Sequence, residues 1–389
     1  MARRGPGLAP RPADRARRAG RGAEAGGKAI DRGQPRLGRN QRGPRLMVRI
    51  ATYNVEWFDG LFDDAGGMLE DSGWSGRHDV TRADQLTALG IVFTAMDADA
   101  VMIIEAPDDN RTRSTVRALE TFAHAYGLRA RKALLGFRNA TQQEIALLYN
   151  PDVFEARHDP QGDETGKKGT RDAPRFDGVF RFDLDIDATP DLIRWSKPPL
   201  EVALTNRENG RVLRLIGVHA KSKAPHGASA PDEVMRLAIE NRRKQMAQCI
   251  WLRQRVNDHL DAGDSLIVMG DFNDGPGLDE YEKLFGRSGI EIVLGEAGQT
   301  ELYDPHARLA VSRRVGAMPV TARFWIHSEK RYLQALLDYI MVSPDLLASK
   351  PDWRIWHPFD DPVCYRTIEL REALLTASDH FPVSIDIDL

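Results

Sequence analysis

Residues 265–274 read SLIVMGDFND, an unbroken apolar run that leads directly into Asp271 and Asn273. A run of this kind belongs in a strand covered on both faces, so a carboxylate placed against it without a spacer sits at the end of a buried sheet. The same arrangement recurs along the chain. VRIATYN ends on Asn54, ADAVMIIEA reaches Glu105, and RVLRLIGVH ends on His219. Asp338 interrupts LLDYIMV, and Asp379-His380 precedes the apolar run FPVSIDI. One such residue is an ordinary turn former or helix cap. Six such places require central strands whose ends converge, and the ends of central strands are where α/β architectures gather ligand sites.

The segments between these strands alternate in type. Residues 81–96 and 113–126 read as helices, 129–135 and 143–149 as strands, and FDGVFRFDLDI alternates at period two like a half-buried strand. Residues 160–174 are polar and read as an exposed loop. EVALTNRENGRVLRLIGVHAK reads as a hairpin, with Asn209-Gly210 supplying the turn. Pro231 opens a long helix over about 231–261, with Met246, Cys249, Ile250, Val256 and Leu260 on an apolar stripe and Arg242, Arg243 and Lys244 off it. Hairpins mixed with crossover helices predict an α+β fold of two mixed sheets covered by helices.

Charge divides the chain. Residues 1–46 carry 12 Arg and 1 Lys against 2 Asp and 1 Glu, or +10, which leaves −13 on residues 47–389 of a chain whose net charge is −3. The basic segment is rich in Gly and Pro, has no aromatic residue and reads as disordered. Arg3-Arg4 is followed by no apolar stretch, so it is not an export signal. Two readings of the segment stay open: an arm that binds nucleic acid through its charge, or a stretch outside the natural protein, with Met47 as the natural start. The two cysteines, Cys249 and Cys364, lack metal-ligand spacing and read as packing thiols of a reduced, cytoplasmic chain. No run approaches the roughly 18 apolar residues of a membrane span.

The chemistry follows from the residue types. Asp271 and Asn273, two apart, share a side if the backbone stays extended, giving a carboxylate and an amide suited to activating a water and holding a phosphoryl oxygen. His219 and Lys221 share a face by the same argument and suit a phosphate; Lys223 follows in the same stretch, GVHAKSK. Glu56, two beyond Asn54, is placed to be a further ligand or a neighbouring ion-pair partner. Oxygen donors without a cysteine cluster favour Mg²⁺ or Mn²⁺ over zinc.

Taken in order, YNVEWF, IIEAP, GVHAKS, GDFND, LDYIMVS and SDHFP resemble the endonuclease/exonuclease/phosphatase superfamily, which includes pancreatic-type deoxyribonucleases, abasic-site endonucleases, neutral sphingomyelinases and inositol-phosphate phosphatases. The resemblance covers 47–389. It implies one catalytic domain there, built as a four-layer α/β/β/α sandwich with the site at one end of the two packed sheets. It implies that Glu105 ligates Mg²⁺ with Asn54 assisting, and that Asp379 holds a second metal. Asp271 orients or deprotonates water, and Asn273 contacts the scissile phosphate. His380, oriented by Asp338, binds phosphate or acts as base, and His219 stabilises the transition state or protonates the leaving oxygen.

The activity so implied is metal-dependent hydrolysis of a phosphoester, most directly a nuclease-like phosphodiester cleavage with DNA or RNA as substrate. The alternatives are a small-molecule or lipid phosphoester as substrate, or an inactive binding scaffold; the complete set of carboxylates, amides and histidines speaks against the scaffold. Basic residues available for substrate are Arg171, Arg175, Arg181, Arg194, Lys197, Lys221, Lys223 and Arg242–Lys244. Phe137, Trp195 and Trp325 are aromatics placed to stack on bases or to pack in the core.

Overall fold

The computed structural model of the chain describes residues 47–183, 190–224, 230–275, 285–296, 298, 300–312, 318–326 and 330–389. The expectation of a disordered segment over 1–46 lies outside them. The strands are, in order, β1 Val48–Asn54, β2 Ala100–Ala106, β3 Lys132–Leu135, β4 Glu144–Tyr149, β5 Phe154–His158, β6 Phe180–Phe182, β7 Asp191–Ile193, β8 Leu200–Asn206, β9 Val212–His219, β10 Leu266–Asp271, β11 Ala322–Ile326, β12 Arg331–Ala335, β13 Asp338–Val342, β14 Asp352–Ile355 and β15 Val383–Ile387. They form a six-stranded sheet in the order β14-β15-β1-β2-β4-β3 and a five-stranded sheet in the order β13-β10-β9-β8-β5, with two separate hairpins, β6–β7 and β11–β12.

The apolar runs bury both faces of each sheet, and period two decides which side chain goes where. In β1 and β2, Ile50, Met102 and Ile104 face the second sheet and pack against Leu204, Leu215, Ile267, Met269 and Ile340. The alternate residues Ala51, Tyr53, Val101 and Ile103 face outward, onto helices α1 (Arg82–Met96) and α2 (Thr115–Ala125). The second sheet does the same. Ile216, Val218 and Val268 turn outward onto Cys249, Trp251 and Val256 of the long helix α3 (Pro231–Asp261). Helix, sheet, sheet and helix thus stack as the expected four layers. Gly217 lets the sheets meet closely, since a Cβ there would come within 2.4 Å of Met102 Sδ.

Among the described residues the other α-helices are α4 (Gly289–Leu294), α5 (Pro305–Val311), α6 (Pro362–Arg366) and α7 (Ile368–Ala377). Helix α7 packs beside α1 through Leu370 and Leu374. Among the described residues, no helix is long and apolar enough to cross a membrane. Cys249 and Cys364 are buried free thiols.

Two local expectations change. The alternating stretch after Phe176 contributes only the short β6 to the described residues, and 184–189 lie outside them. Arg242, read as off the apolar stripe, is 1% exposed and lies 3.8 Å from the buried Asp274. A run of three basic residues cannot all face water on a helix packed from several sides.

One prediction concerns the basic segment. Composition gives it nothing to bury, so deleting 1–46 is expected to leave the melting temperature and small-substrate kcat/KM unchanged. A large loss of thermal stability would show that the segment is packed; a loss confined to DNA affinity, with weaker salt dependence, would show an arm.

Candidate active site

Strand register builds half of the site. Strand β10 lies between β9 and β13, and Asp271 is paired laterally with His219 on one side and Asp338 on the other. The approach to Asp271 requires glycine: Gly270 has φ +133°, and a Cβ there would meet Val218 O at 2.1 Å. Beyond the strand, Asn273 takes φ +49°, so period two does not place it. A tight turn does. Asn273 N donates to Asp271 Oδ1 at 2.7 Å, and its Nδ2 donates to Asp271 Oδ2 and to Ala220 O, both at 3.1 Å. Both amide protons of Asn273 thus have protein acceptors, and the side chain holds Asp271.

The first sheet supplies the rest. Asn54 ends β1 and donates from Nδ2 to Asp271 Oδ2 at 3.1 Å, across the gap between the sheets. Its Oδ1 accepts from Glu56 N. Glu105 sits where β2 breaks register with β4, at φ +63°. Glu56, Trp57, Glu105 and Asn273 all have positive φ. Left-handed backbone at non-glycine residues costs on the order of 1–3 kcal/mol each, and here it is concentrated around one end of the sheets.

Loop 378–380 closes the site. Ser378 Oγ donates to Asn54 O, and Asp379 N donates to Glu56 Oε2. Glu56 is itself ion-paired with Arg77, which makes it a neighbouring ion-pair partner of the site. His380 Nδ1 lies 2.7 Å from Asp338 Oδ2. Thr321 Oγ1 accepts from the backbone N–H groups of Leu337 and Asp338 and so fixes that carboxylate's stem.

The charges follow from this packing. Burial alone would lower the His380 pKa, but the charge and hydrogen bond of Asp338, with Asp271 and Asp379 behind it, hold it well above the usual histidine range. Burial raises the carboxyl of Asp271; His380 opposes the shift and Asp338 adds to it. His219 is pushed the other way, well below the histidine range, first by burial and then by Lys197 and His380. These influences favour the neutral imidazole at His219, and Lys197 Nζ lies 3.1 Å from its Nε2. Burial lowers the pKa of Lys197 while Glu105 and Asp271 raise it.

Asp271, Asp338 and His380 present ligand atoms within 4.8 Å of one another, forming a group whose composition can hold a metal. In this arrangement the His380 ring is bonded to Asp338 through Nδ1, a contact that favours the protonated ring. Glu105 and Asp379 flank it, Glu105 Oε1 at 4.0 Å from His219 Nε2 and Asp379 Oδ1 at 4.0 Å from His380 Nε2.

The structure therefore brings together Asn54, Glu105, His219, Asp271, Asn273, Asp338, Asp379 and His380. Lys221 lies close enough to Lys197 to lower its pKa. Lys223 does not belong to the group: its Nζ is bound to the buried Asp274 at 2.6 Å. Of the three aromatics singled out, Trp195 is in the core, Phe137 is half-buried beneath Arg175, and Trp325 is exposed. Nothing in the residue pattern ranks Lys197 above the other basic residues; its position just before β8 is the available signal. Gln245 was also missed. From α3 its Nε2 donates to Lys221 O, Phe272 O and Asn273 O, pinning the turns behind β9 and β10.

An imidazole paired with a carboxylate and a lysine converging beside buried carboxylates suit a tetrahedral anion and a water aimed at it, and the class so defined is the phosphoesterases. The chain belongs to the Endonuclease/Exonuclease/phosphatase family, whose sequence model matches residues 51–380. A search of curated proteins gives no match. Similar solved structures include truncated Caenorhabditis elegans TDP2, at 13% identity and TM-score 0.45, covering 88% of this chain and 98% of that one. Others are the human Nocturnin catalytic domain with bound sulfate, at 16% and 0.43, covering 88% and 94%, and a Bacteroides thetaiotaomicron mannosyl-6-phosphatase, at 15% and 0.42, covering 87% and 98%.

Proposed function

We propose that the chain is a phosphodiesterase working with Mg²⁺ or Mn²⁺. The observation that carries this reading is the lateral order His219–Asp271–Asp338 across three adjacent strands, with His380 bonded to the last. The donor set fits a hard cation. Glu105 is nearly buried, yet among the described residues its only basic neighbour within 4.0 Å is His219, which is neutral. A carboxylate so placed is costly unless a cation compensates it. Glu105, with Asn54 Oδ1 beside it, would hold the ion, and Asp379 offers a further carboxylate. A divalent ion there neutralises phosphate charge and acidifies water.

The protein's own groups do the rest. Asp271, raised by burial and held by three hydrogen bonds from Asn54 and Asn273, accepts the proton of the attacking water. The His380 imidazolium, anchored by Asp338, binds the non-bridging phosphoryl oxygens and gains as their charge grows. Neutral His219 accepts from Lys197, so Lys197, not His219, carries the proton and positive charge toward the leaving oxygen. This assignment departs from the role the family resemblance implies for His219.

The test is a substrate panel with Mg²⁺: bis-p-nitrophenyl phosphate, p-nitrophenyl phosphate, single-stranded DNA and RNA, with His380→Ala as the control for contaminating activity. Diester cleavage by the wild type that is absent from the variant supports the reading. Turnover of the monoester alone would replace it with a phosphatase.

A further inference from the structure

The turn after β10 ends on a second carboxylate. Asp274 follows Asn273 directly and is 0% exposed, and Phe272 and Tyr339 beside it belong to the apolar core. A charge in such a place is costly unless it is compensated. Three segments compensate it. Lys223 Nζ donates to Oδ1 at 2.6 Å, and Arg242 Nη1 of α3 lies 3.8 Å from the same oxygen. Gly289 N, at the start of α4, donates to Oδ2. The helix start is pressed onto the carboxylate, since a Cβ at Gly289 would meet Asp274 Oδ2 at 2.9 Å and Cys249 Sγ at 2.7 Å. The backbone is held as well: Tyr339 Oη donates to Asp274 O at 3.0 Å from β13.

These contacts join two turns that matter to the site. Lys223 ends GVHAKSK, the stretch leaving β9 after His219, and Asp274 ends GDFND, the stretch leaving β10 after Asp271. Ala220 N donates to Asp271 O at 2.9 Å, and Asn273 Nδ2 donates back to Ala220 O. The Lys223–Asp274 pair is the charged link beyond these, where the strands have ended and sheet register no longer fixes the chain. Asn273 holds left-handed backbone there, at φ +49°. Strain of this kind persists only where the surroundings over-determine it. Stability alone does not call for an ion pair in this position. Apolar groups of similar volume in place of a buried pair are often neutral or stabilising, whereas removing one partner is costly.

We propose that Asp274 and Lys223 are positioning residues: their buried ion pair clamps the turn 271–274, so that Asn273 keeps Asp271 aimed at the attacking water. The two side chains are bound to each other and act on the reaction only through the turn. The proposal rests on the role given to Asp271 above.

The test separates aim from stability. Hydrogen–deuterium exchange reads the turn without substrate. In Asp274→Ala, peptides spanning 270–275 should lose protection by at least about tenfold while those from β1 and β8 keep theirs, because local opening is separate from global unfolding. Kinetics, run well below the lowest Tm of the set, read the aim. Asp274→Ala should lower kcat for bis-p-nitrophenyl phosphate at least about tenfold, within what a misplacement caused from outside the reacting groups can cost. KM should stay within about threefold of the wild type, because His380 and Lys197 supply the charge that meets the phosphate. Lys223→Met should show the same split, and Lys223→Met/Asp274→Ala should be no worse than Asp274→Ala, as for residues that act as one unit. The decisive variant is Lys223→Met/Asp274→Leu. Apolar replacement should return Tm to near the wild-type value, while kcat stays low.

Recovery of kcat together with Tm in Lys223→Met/Asp274→Leu overturns the proposal, since the pair would then serve stability alone. So does an unchanged kcat in Asp274→Ala, or a loss of protection spread evenly over the molecule. If the apolar double variant stays unstable, the kcat-against-KM split and the exchange pattern of the single variants decide. If Asp274→Ala does not fold, Asp274→Asn, which keeps the volume and an acceptor for Gly289 N, decides by the same two readings. A wild type that cleaves no diester, yet loses protection of the turn on substitution at Asp274, would leave the clamp standing and remove the phosphodiesterase reading.

Discussion

Asp338→Asn is expected to lower kcat/KM for a diester by about 10²-fold or more, in the range that general acid–base groups contribute. Asp338 is buried, and its Oδ2 is 2.7 Å from His380 Nδ1. The carboxylate fixes the ring and holds its pKa up against the burial that lowers it. Removing the charge leaves burial as the larger influence, so the imidazole pKa falls. The sign of the pH effect follows. Imidazolium is present below the folded pKa and is lost as pH rises through it. The high-pH limb of the kcat/KM profile therefore moves to lower pH in Asp338→Asn, and part of the lost activity returns in acid. Residues that act as one unit are non-additive, so Asp338→Asn/His380→Ala should be barely worse than His380→Ala. A double-mutant cycle in which the two losses simply multiply would show that the residues act independently.

Removal of divalent metal is expected to have the largest effect of all. Excess EDTA should reduce diester turnover by at least about 10³-fold, because the charge stabilisation a metal supplies is several kcal/mol and each 1.36 kcal/mol is tenfold in rate. Mg²⁺ or Mn²⁺ should restore it. Glu105→Gln should raise the Mg²⁺ concentration needed for half-maximal activity, and a calorimetric titration of Mg²⁺ should lose its high-affinity phase. The reason is local. The chain accepts left-handed backbone at Glu105, φ +63° at a register break, to aim a nearly buried carboxylate that makes no ion pair with a lysine or arginine among the described residues. Gln keeps the shape and removes the charge. Full turnover in chelator, with metal content confirmed as nil, would remove the metal from the reaction.

What the sequence disclosed followed burial. Strands β1, β2, β9, β10, β13 and β15 are apolar on both faces, so their extents and the polar residues at their ends could be read directly, as could the full length of α3. Hairpin β11–β12 escaped because Arg323, Trp325, Arg331 and Tyr332 are partly or largely exposed and leave no periodic apolar signal. Asp271 and Asn273 were linked correctly but for the wrong reason, extended backbone where the chain makes a turn at φ +49°. Lys197 was one lysine among several until register and packing placed its Nζ against His219. Gln245 and Thr321 hold the site through backbone atoms of distant segments, and nothing in their local sequence announces such partners.

The register of β10 has a consequence for refolding. Asp271 meets His219 and Asp338 only when three strands, distant in sequence, align to the residue. Side chains alternate between faces, so a slip of one position turns the carboxylate away from both partners while leaving an apolar strand between apolar neighbours. Such a molecule would keep much of its secondary structure and compactness yet be catalytically silent. Specific activity in a refolded preparation is thus a count of correctly threaded molecules, a quantity that circular dichroism or size alone would overstate.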